Sequence, residues 1–185
     1  MFYDFEPDPG PDCPRVVRAI IEIPKESSNK YEFDSGLGLF KLSRTLYSPM
    51  HYPGDYGFIP GTIAEDRDPL DVLVLVASPS FTGCLFYVRP LGVLDMLDGE
   101  EHDHKILAVS VHDPRQNEIL SVDNVSTHVR REIEHFFGIY KELENKVTNI
   151  KGWHGIDTAQ QLIRESHERY LSANTRTTER GGGVS

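Results

Sequence analysis

Three aspartates within six positions carry the clearest chemical signal in this sequence. Asp66, Asp68 and Asp71 stand directly before an apolar run of strand length, residues 72–76. Neither a helix nor a strand would bring all three carboxylates to one face, so their convergence requires a turn. Pro69 favours that turn because it fixes its own φ and pushes Asp68 into an extended conformation. Converging carboxylates repel one another unless cations lie between them, and oxygen clusters suit hard divalent metals such as Mg²⁺ or Mn²⁺.

Other interpretations of the aspartate stretch are an acidic surface turn, a calcium loop and a phosphatase nucleophile. A calcium loop of the EF-hand type fits badly because Leu70 stands where its third ligand should be, and the central Gly and final Glu are missing. A phosphatase with an Asp nucleophile at the end of a strand would have the apolar run before the aspartates. Here the run follows them.

The stretch resembles the signature of the soluble family I inorganic pyrophosphatases of the prokaryotic type. Five further segments match the family in its order: residues 21–24, 29–32, 52–58, 89–93 and 135–141. Together the matches span nearly all of the chain between residues 16 and 170. One departure is Arg67, which occupies a position that usually holds a small or short polar residue.

The resemblance implies two sets of site residues. The expected ligands of a metal pair are Asp66, Asp71 and Asp103, with Asp71 as the bridge, and the ligands of additional metals are Asp98, Glu22 and Glu32. The residues expected to hold the phosphates are Lys30, Arg44, Tyr56, Lys105, Tyr140 and Lys141. Asp68 is the candidate general base, and Asp103 is the alternative.

The implied reaction is the hydrolysis of inorganic pyrophosphate to two orthophosphates by direct in-line attack of a metal-activated water. Several Mg²⁺ ions per site are the expected cofactors, with Mn²⁺ or another divalent metal as a possible substitute. The resemblance also implies a homohexamer. Two alternatives stay open: a hydrolase of another phosphoanhydride, such as a nucleotide, and a non-catalytic barrel that binds metal or phosphate. Phosphate release from pyrophosphate and from ATP would separate them.

A second acidic cluster consists of Asp95, Asp98, Glu100, Glu101 and Asp103, with His102 and His104. On its own the cluster indicates a charged hairpin tip, although a mixture of imidazoles and acids also occurs in transition-metal sites. The resemblance assigns no role to either histidine, so both are expected to face solvent.

Composition limits the class of protein. A chain of 185 residues with 38% hydrophobic residues fits a single domain, expected over residues 15–174, between an irregular arm at 1–14 and a disordered tail at 175–185. The net charge of −10 argues against a nucleic-acid binder. Cys13 and Cys84 are expected to be reduced thiols. No signal peptide or membrane span is visible, so a cytoplasmic location is expected.

The elements that must position these residues are short strands followed by helices. Alternating residues predict strands at 16–23 and around 31–33, and apolar runs predict strands at 72–76, 84–97 with a bend at Pro90 and Gly92, and 106–111. Residues 47–60 are expected to form a shaped loop. One helix is expected from a Thr127 cap to about Asn145 and another from Asp157. This order indicates an α+β domain with a closed or nearly closed barrel. The resemblance sharpens it to a five-stranded OB-like β-barrel with two flanking α-helices.

Overall fold

Nine β-strands and two α-helices account for the regular structure of residues 8–181, the part of the chain that this computed structural model describes. The strands are β1 (Val17–Ile23), β2 (Asn29–Asp34), β3 (Leu39–Thr45), β4 (Asp55–Phe58), β5 (Asp71–Leu75), β6 (Leu85–Asp98), β7 (Glu101–His102), β8 (Lys105–Ser110) and β9 (Thr148–His154). The helices are α1 (Thr127–Ile139) and α2 (Ile156–Gly181).

Five of the strands close into a ring in the order β1, β4, β5, β8 and β6, and β6 pairs back onto β1. Neighbours in this ring are antiparallel except β5 and β8, which are parallel. Strands β7 and β9 both pair with β6, and β2 and β3 form a separate hairpin. The arrangement confirms the predicted α+β class with an OB-like ring of five strands and two helices.

Both faces of the central strands are buried, which explains their unbroken apolar sequences. On β5, Val72 and Val74 belong to the same cluster of buried side chains as Ala159 of α2. Leu73, between them, points to the other face and belongs to the cluster that contains Phe137 of α1. The aspartate turn is therefore attached to a strand that is fixed from two sides.

The predicted bend of β6 is confirmed at Pro90 and Gly92, where the register with β8 shifts. A Cβ atom at Gly92 would lie 2.5 Å from the carbonyl oxygen of His154, so only glycine allows this approach of β9. The bend lets one 14-residue strand pair with β1 near its start and with β9 near its end. The second half of β6 thereby leads into the second acidic cluster, whose first member is Asp95.

Strand β4 and the ends of α1 differ from the expectations. The loop expected at 47–60 contains β4, whose Gly57 lies so close to Ile20 that a Cβ atom would meet the carbonyl oxygen of Ile20. The N-cap of α1 is Ser126 rather than Thr127, because the Ser126 hydroxyl accepts a hydrogen bond from the backbone N–H of Val129.

Helix α1 also ends at Ile139, earlier than expected. The hydroxyl of Thr148, on β9, lies 2.8 Å from the carbonyl oxygens of Phe137 and Gly138, which the last turn leaves unpaired. A short 3₁₀ turn follows and closes at Asn145, a residue with a left-handed φ of 58°. Strand β9 therefore fixes the position of the end of α1.

The ends of the chain were expected to be irregular. Residues 8–14 contain no strand or helix, while residues 1–7 lie outside the described part. At the other end α2 continues to Gly181, beyond the expected start of the tail at Thr175, since neither Pro nor Gly interrupts residues 175–180. Residues 182–185 lie outside the described part. Among the described residues, no helix combines the length and apolar content needed to cross a membrane.

Candidate active site

The predicted site residues converge on one cavity of about 600 Å³. Twelve of the thirteen line it: Glu22, Lys30, Glu32, Tyr56, Asp66, Asp68, Asp71, Asp98, Asp103, Lys105, Tyr140 and Lys141. With Glu101, the lining includes eight carboxyl groups and three lysines. The thirteenth predicted residue, Arg44, is not part of the lining.

The three aspartates lie on the turn that the sequence predicts. The backbone N–H of Asp68 donates to Oδ1 of Asp66 at 3.0 Å, and the Asp68 carbonyl accepts from the N–H of Ala64 at 2.7 Å. Below the turn, the buried hydroxyl of Thr62 accepts from the N–H of Leu70 at 2.9 Å. These bonds fold the turn back on itself, so that Asp66 and Asp68 reach the cavity together with Asp71 at the start of β5.

Lys105 lies between two of the predicted metal ligands. Parallel pairing of β5 with β8 places it directly opposite Asp71, and its ammonium group donates to Asp71 Oδ2 and Asp103 Oδ1. The Lys105 side chain is only 4% exposed. Burial lowers the pKa of Lys105, but the two carboxylates outweigh burial and raise it, so the lysine stays charged.

Lys141 forms a second pair of this kind at the end of α1. Its ammonium group donates to Oδ2 of Asp98, at the end of β6, and lies 5.1 Å from the ring centre of Tyr140. Lys141 is the N-cap of the short 3₁₀ turn Glu142–Glu144 that follows the helix, and its side chain lines the cavity. In each pair a lysine neutralises a carboxylate that was predicted to bind metal.

Glu22 of β1 and the β2–β3 hairpin form another part of the wall. Oε1 of Glu22 accepts from the N–H of Phe33 at 2.7 Å, and Lys30 lies 2.8 Å from Oε1 of Glu32. Burial raises the pKa of Glu22 to about 7, with Asp71 adding to the shift and the Phe33 N–H opposing it. A cation beside Glu22 would favour its charged form.

Arg44 does not line the cavity, although it is the cross-strand partner of Lys30, which does. Its Nε lies 2.8 Å from Oε1 of Glu144, in the 3₁₀ turn after α1, although the pair lacks hydrogen-bond geometry. Both side chains are largely buried, Arg44 with 22% and Glu144 with 10% exposure. The predicted contact of Arg44 with phosphate therefore requires that it leave Glu144, and this role stays a prediction.

Sequence reasoning missed three residues that shape the site. Tyr52 lines the cavity, and its ring packs against Tyr56 with 5.4 Å between centroids. Burial raises the pKa of Tyr52, Tyr56 and Tyr140, so their hydroxyls keep their protons. Tyr170 of α2 and the turn-forming Thr62 also line the cavity. The dense aromatic content of residues 52–58 was a signal for Tyr52, whereas nothing local distinguished Thr62 or Tyr170.

The expectation that both histidines face solvent is confirmed for His102 and wrong for His104. His102 is exposed, as expected, and lies at the rim of the cavity. The side chain of His104 is only 18% exposed, because it packs beside Asp95 and against the His102 ring. The alternation of an extended chain explains this, since it turns Asp103 and Lys105 towards one side and His104 towards the other.

The donor set of the cavity fits divalent metals. Apart from the imidazole of His102 at the rim, its ligand atoms are carboxylate oxygens, with no thiol among the lining residues, and carboxylates outnumber lysines. Such a surplus of negative charge would repel a polyanionic substrate by itself. With cations on the carboxylates, the same cavity attracts one.

Comparisons with known proteins give the class. A family model described as inorganic pyrophosphatase matches residues 19–171. A protein of Geobacillus stearothermophilus named inorganic pyrophosphatase is 48% identical over 156 residues, which are 84% of this chain and 94% of that protein. One of Methanosarcina acetivorans with the same name is 48% identical over 86% of this chain and 95% of its own. The crystal structure of inorganic pyrophosphatase from Thermus thermophilus superposes with a TM-score of 0.86 at 42% identity, over 89% of this chain and 96% of that chain.

These similarities, together with a carboxylate-rich cavity on an OB-like fold, define a hydrolase of a family that uses a divalent metal. The chain belongs to the inorganic pyrophosphatase family. Membership confirms the family and the enzyme class that the sequence motifs indicate, and it implies a divalent metal cofactor.

Because Lys105 is the counter-ion of Asp71 and Asp103, we expect its removal to lower the stability of the protein when no metal is bound. In Lys105→Met, Asp71 and Asp103 would share a largely buried region without a cation, and we expect metal-free unfolding free energy to fall by about 3 kcal/mol. Excess Mg²⁺ should stabilise this variant more than the wild type, because it supplies the missing charge. Urea unfolding with and without Mg²⁺ measures both. Lys41→Met, which removes an exposed lysine beside Asp34, should change little. An equal Mg²⁺ effect in wild type and Lys105→Met would contradict the counter-ion role.

The backbone of the turn predicts the effect of changing Arg67. This exposed residue has a left-handed φ of 75°, which favours glycine. Arg67→Gly should raise the unfolding free energy by up to about 1 kcal/mol. This gain is the backbone strain that glycine relieves, reduced by the extra conformational entropy that glycine loses on folding. Mg²⁺ affinity should change little because solvent screens an exposed guanidinium. Arg131→Gly, in the middle of α1, should instead destabilise. Destabilisation by Arg67→Gly would refute this account of the turn.

Proposed function

We propose that this protein hydrolyses inorganic pyrophosphate to two orthophosphates, with Mg²⁺ as its metal and Mn²⁺ as a possible substitute. The observation that carries the proposal is the single cavity that joins carboxylate clusters and lysines, in a chain of the inorganic pyrophosphatase family. The lysines and the metal-binding carboxylates together suit a small substrate with several negative charges. The lining has one serine, Ser35, and no cysteine, and the proposed attack by water calls for no covalent nucleophile.

The proposed metal ligands come from the resemblance to the family, and all six line the cavity. Asp66, Asp71 and Asp103 would hold a metal pair with Asp71 as the bridge, and Asp98, Glu22 and Glu32 would hold additional ions. When bound, the metals neutralise pyrophosphate and lower the pKa of a coordinated water. The buried setting of Asp71 and Asp103 limits their motion, which favours a fixed ligand geometry.

The lysines would change partners when the site is loaded. Lys105 and Lys141 pair with carboxylates of the cavity. Once cations take over that role, both ammonium groups are available to hold phosphate oxygens in line for attack. Lys30 at the β2–β3 hairpin would contribute a third positive charge, and the protonated hydroxyls of Tyr56 and Tyr140 would donate hydrogen bonds.

Asp68 is our candidate for the general base. It is exposed to the cavity on the aspartate turn, whereas Asp103, the alternative, already accepts from Lys105. A base must lie within hydrogen-bond reach of the attacking water, and the turn directs Asp68 towards the same space as Asp66 and Asp71. Asp68 would then orient the water and accept its proton.

Two further parts of the proposal rest on similarity and on composition. The homohexamer follows from resemblance to bacterial members of the family. The net charge of −10 argues against a nucleic-acid partner, and we propose a cytoplasmic location with no membrane partner. Sedimentation of the purified protein would measure the subunit number.

The proposed reaction is tested by phosphate release from pyrophosphate and from ATP, each with Mg²⁺ and after exhaustive chelation. We expect release from pyrophosphate only when Mg²⁺ is present, because the carboxylate surplus otherwise repels the substrate. Faster release from ATP would favour the nucleotide alternative, and no release from either would favour a non-catalytic barrel. Full hydrolysis of pyrophosphate after chelation would refute the metal assignment.

Two aspartates on the same turn should respond differently to loss of charge. Asp71→Asn should weaken Mg²⁺ binding, because a neutral amide replaces a bridging ligand. Asp68→Asn should keep most Mg²⁺ affinity and lower turnover by about a hundred- to ten-thousandfold, since an amide cannot accept a proton from water. Calorimetry and turnover at saturating Mg²⁺ separate the two effects.

The control for these substitutions is Asp123→Asn, which removes an exposed carboxylate outside the cavity and should change neither quantity. If excess Mg²⁺ restores full activity to Asp68→Asn, Asp68 is at most a ligand. The general base would then be sought at Asp103.

A further inference from the structure

A second group of metal-binding residue types lies on the hairpin that ends β6. Asp95 is on β6, His102 is in β7, and His104 directly precedes β8. Neither Asp95 nor His104 lines the catalytic cavity, although His102 lies at its rim. Asp95 and Asp98 are three residues apart on one strand and so point to opposite sides. The hairpin thus carries one set of donors for the cavity and another set behind it.

The three side chains are already close together. Oδ1 of Asp95 lies 3.5 Å from Nε2 of His104 and 3.7 Å from Nδ1 of His102. All three candidate ligand atoms lie within 4.8 Å of one another. The two imidazole rings are stacked, with 5.3 Å between centroids and 11° between planes. Small side-chain rotations would point these atoms at a common centre, at the bond lengths typical of zinc sites.

An unpartnered oxygen points to a cation at this place. Oδ1 of Asp95 is buried and has no hydrogen-bond partner among the described residues, although two ring nitrogens lie near it. A buried charged oxygen without a partner is costly, so such atoms in native proteins usually mark an ion, a water or a functional role. The other oxygen, Oδ2, lies 3.4 Å from Nε2 of His154 on β9. One side of the carboxylate is thus held while the other faces the two histidines.

We propose that Asp95, His102 and His104 form a binding site for a divalent transition metal such as Zn²⁺. Two imidazoles and one carboxylate are a common ligand set for such metals, and they leave positions open for water. His154 would act as an outer partner that orients the carboxylate of Asp95. The carboxylates that dominate the cavity suit Mg²⁺, whereas the imidazoles select against it. The site does not depend on pyrophosphate hydrolysis, so its test and the test of the proposed function fail separately.

Equilibrium dialysis against Zn²⁺ in a large excess of Mg²⁺ tests the site, because Mg²⁺ occupies the carboxylates of the cavity. The wild type should retain one Zn²⁺ per chain. Asp95→Asn and His104→Asn should bind this Zn²⁺ at least tenfold more weakly. His112→Asn, which changes an exposed histidine next to Tyr87, should bind Zn²⁺ as the wild type does. Circular dichroism of each variant checks its fold. Equal Zn²⁺ binding by the wild type and the two site variants would overturn the proposal, as would no Zn²⁺ retained by the wild type.

Histidine NMR of the unchanged chain provides a second measurement that does not depend on how the variants fold. The chain contains eight histidines, so their ring signals can be assigned individually. Zn²⁺ added in excess Mg²⁺ should shift the signals of His102 and His104 at one equivalent and leave that of His112 in place. Perturbation of all histidines alike, or of others before these two, would refute the assignment.

Discussion

The site depends on one buried ammonium group held between two carboxylates. Lys105 reaches Asp71 because β5 and β8 pair in parallel with these two residues opposite each other, and it reaches Asp103 from two positions away along its own chain. Without that positive charge, the two acids would be brought together with no compensation in a largely buried place, at a cost of several kcal/mol. Lys105 therefore supplies the positive charge that allows Asp71 and Asp103 to lie close together.

The same arrangement explains how one cavity could bind both metals and phosphate. The carboxylates and lysines that pair with one another in the structure are also the proposed binding groups of the enzyme. The carboxylates would bind the metals, and the lysines would bind the phosphates. The aromatic rings of Tyr56 and Phe137 lie about the ammonium group of Lys105, at 5.6 and 6.0 Å from its nitrogen to their centres. Rings in this position favour a cation and keep its side chain extended towards the cavity. The α1 helix contributes Phe137 to this wall and ends where Lys141 can enter.

The aspartate turn could be predicted from local sequence, whereas the other site residues were expected from the resemblance to the family. Pro69 and the apolar run behind Asp71 predict a turn fixed to a buried strand, and the structure has both. Long-range pairings could not be predicted in the same way. That Arg44 lies against Glu144 depends on how the β2–β3 hairpin sits beside the end of α1, which no spacing within either segment encodes. The end of α1 was misplaced for a similar reason, since Thr148 caps it from another strand.

Hairpin residues were difficult for a related reason. Alternation in an extended chain predicts that His104 and Asp103 point to different sides, but not what lies on each side. His104 is partly buried because β6 brings Asp95 beside it, a contact across the hairpin. Strand β4 was missed because its Gly and Pro surroundings are typical of a loop. Its place in the ring requires close backbone contact with β1, which glycine permits.

Crystals grown without metal and then soaked in Mn²⁺ would test the exchange of lysine for metal most directly, since anomalous scattering locates each Mn²⁺ ion. We predict an anomalous peak bonded to the carboxylates of Asp71 and Asp103, with the ammonium group of Lys105 moved away from both oxygens. A site loaded with Mn²⁺ in which Lys105 still donates to Asp71 and Asp103, with the ions bound elsewhere, would contradict the account.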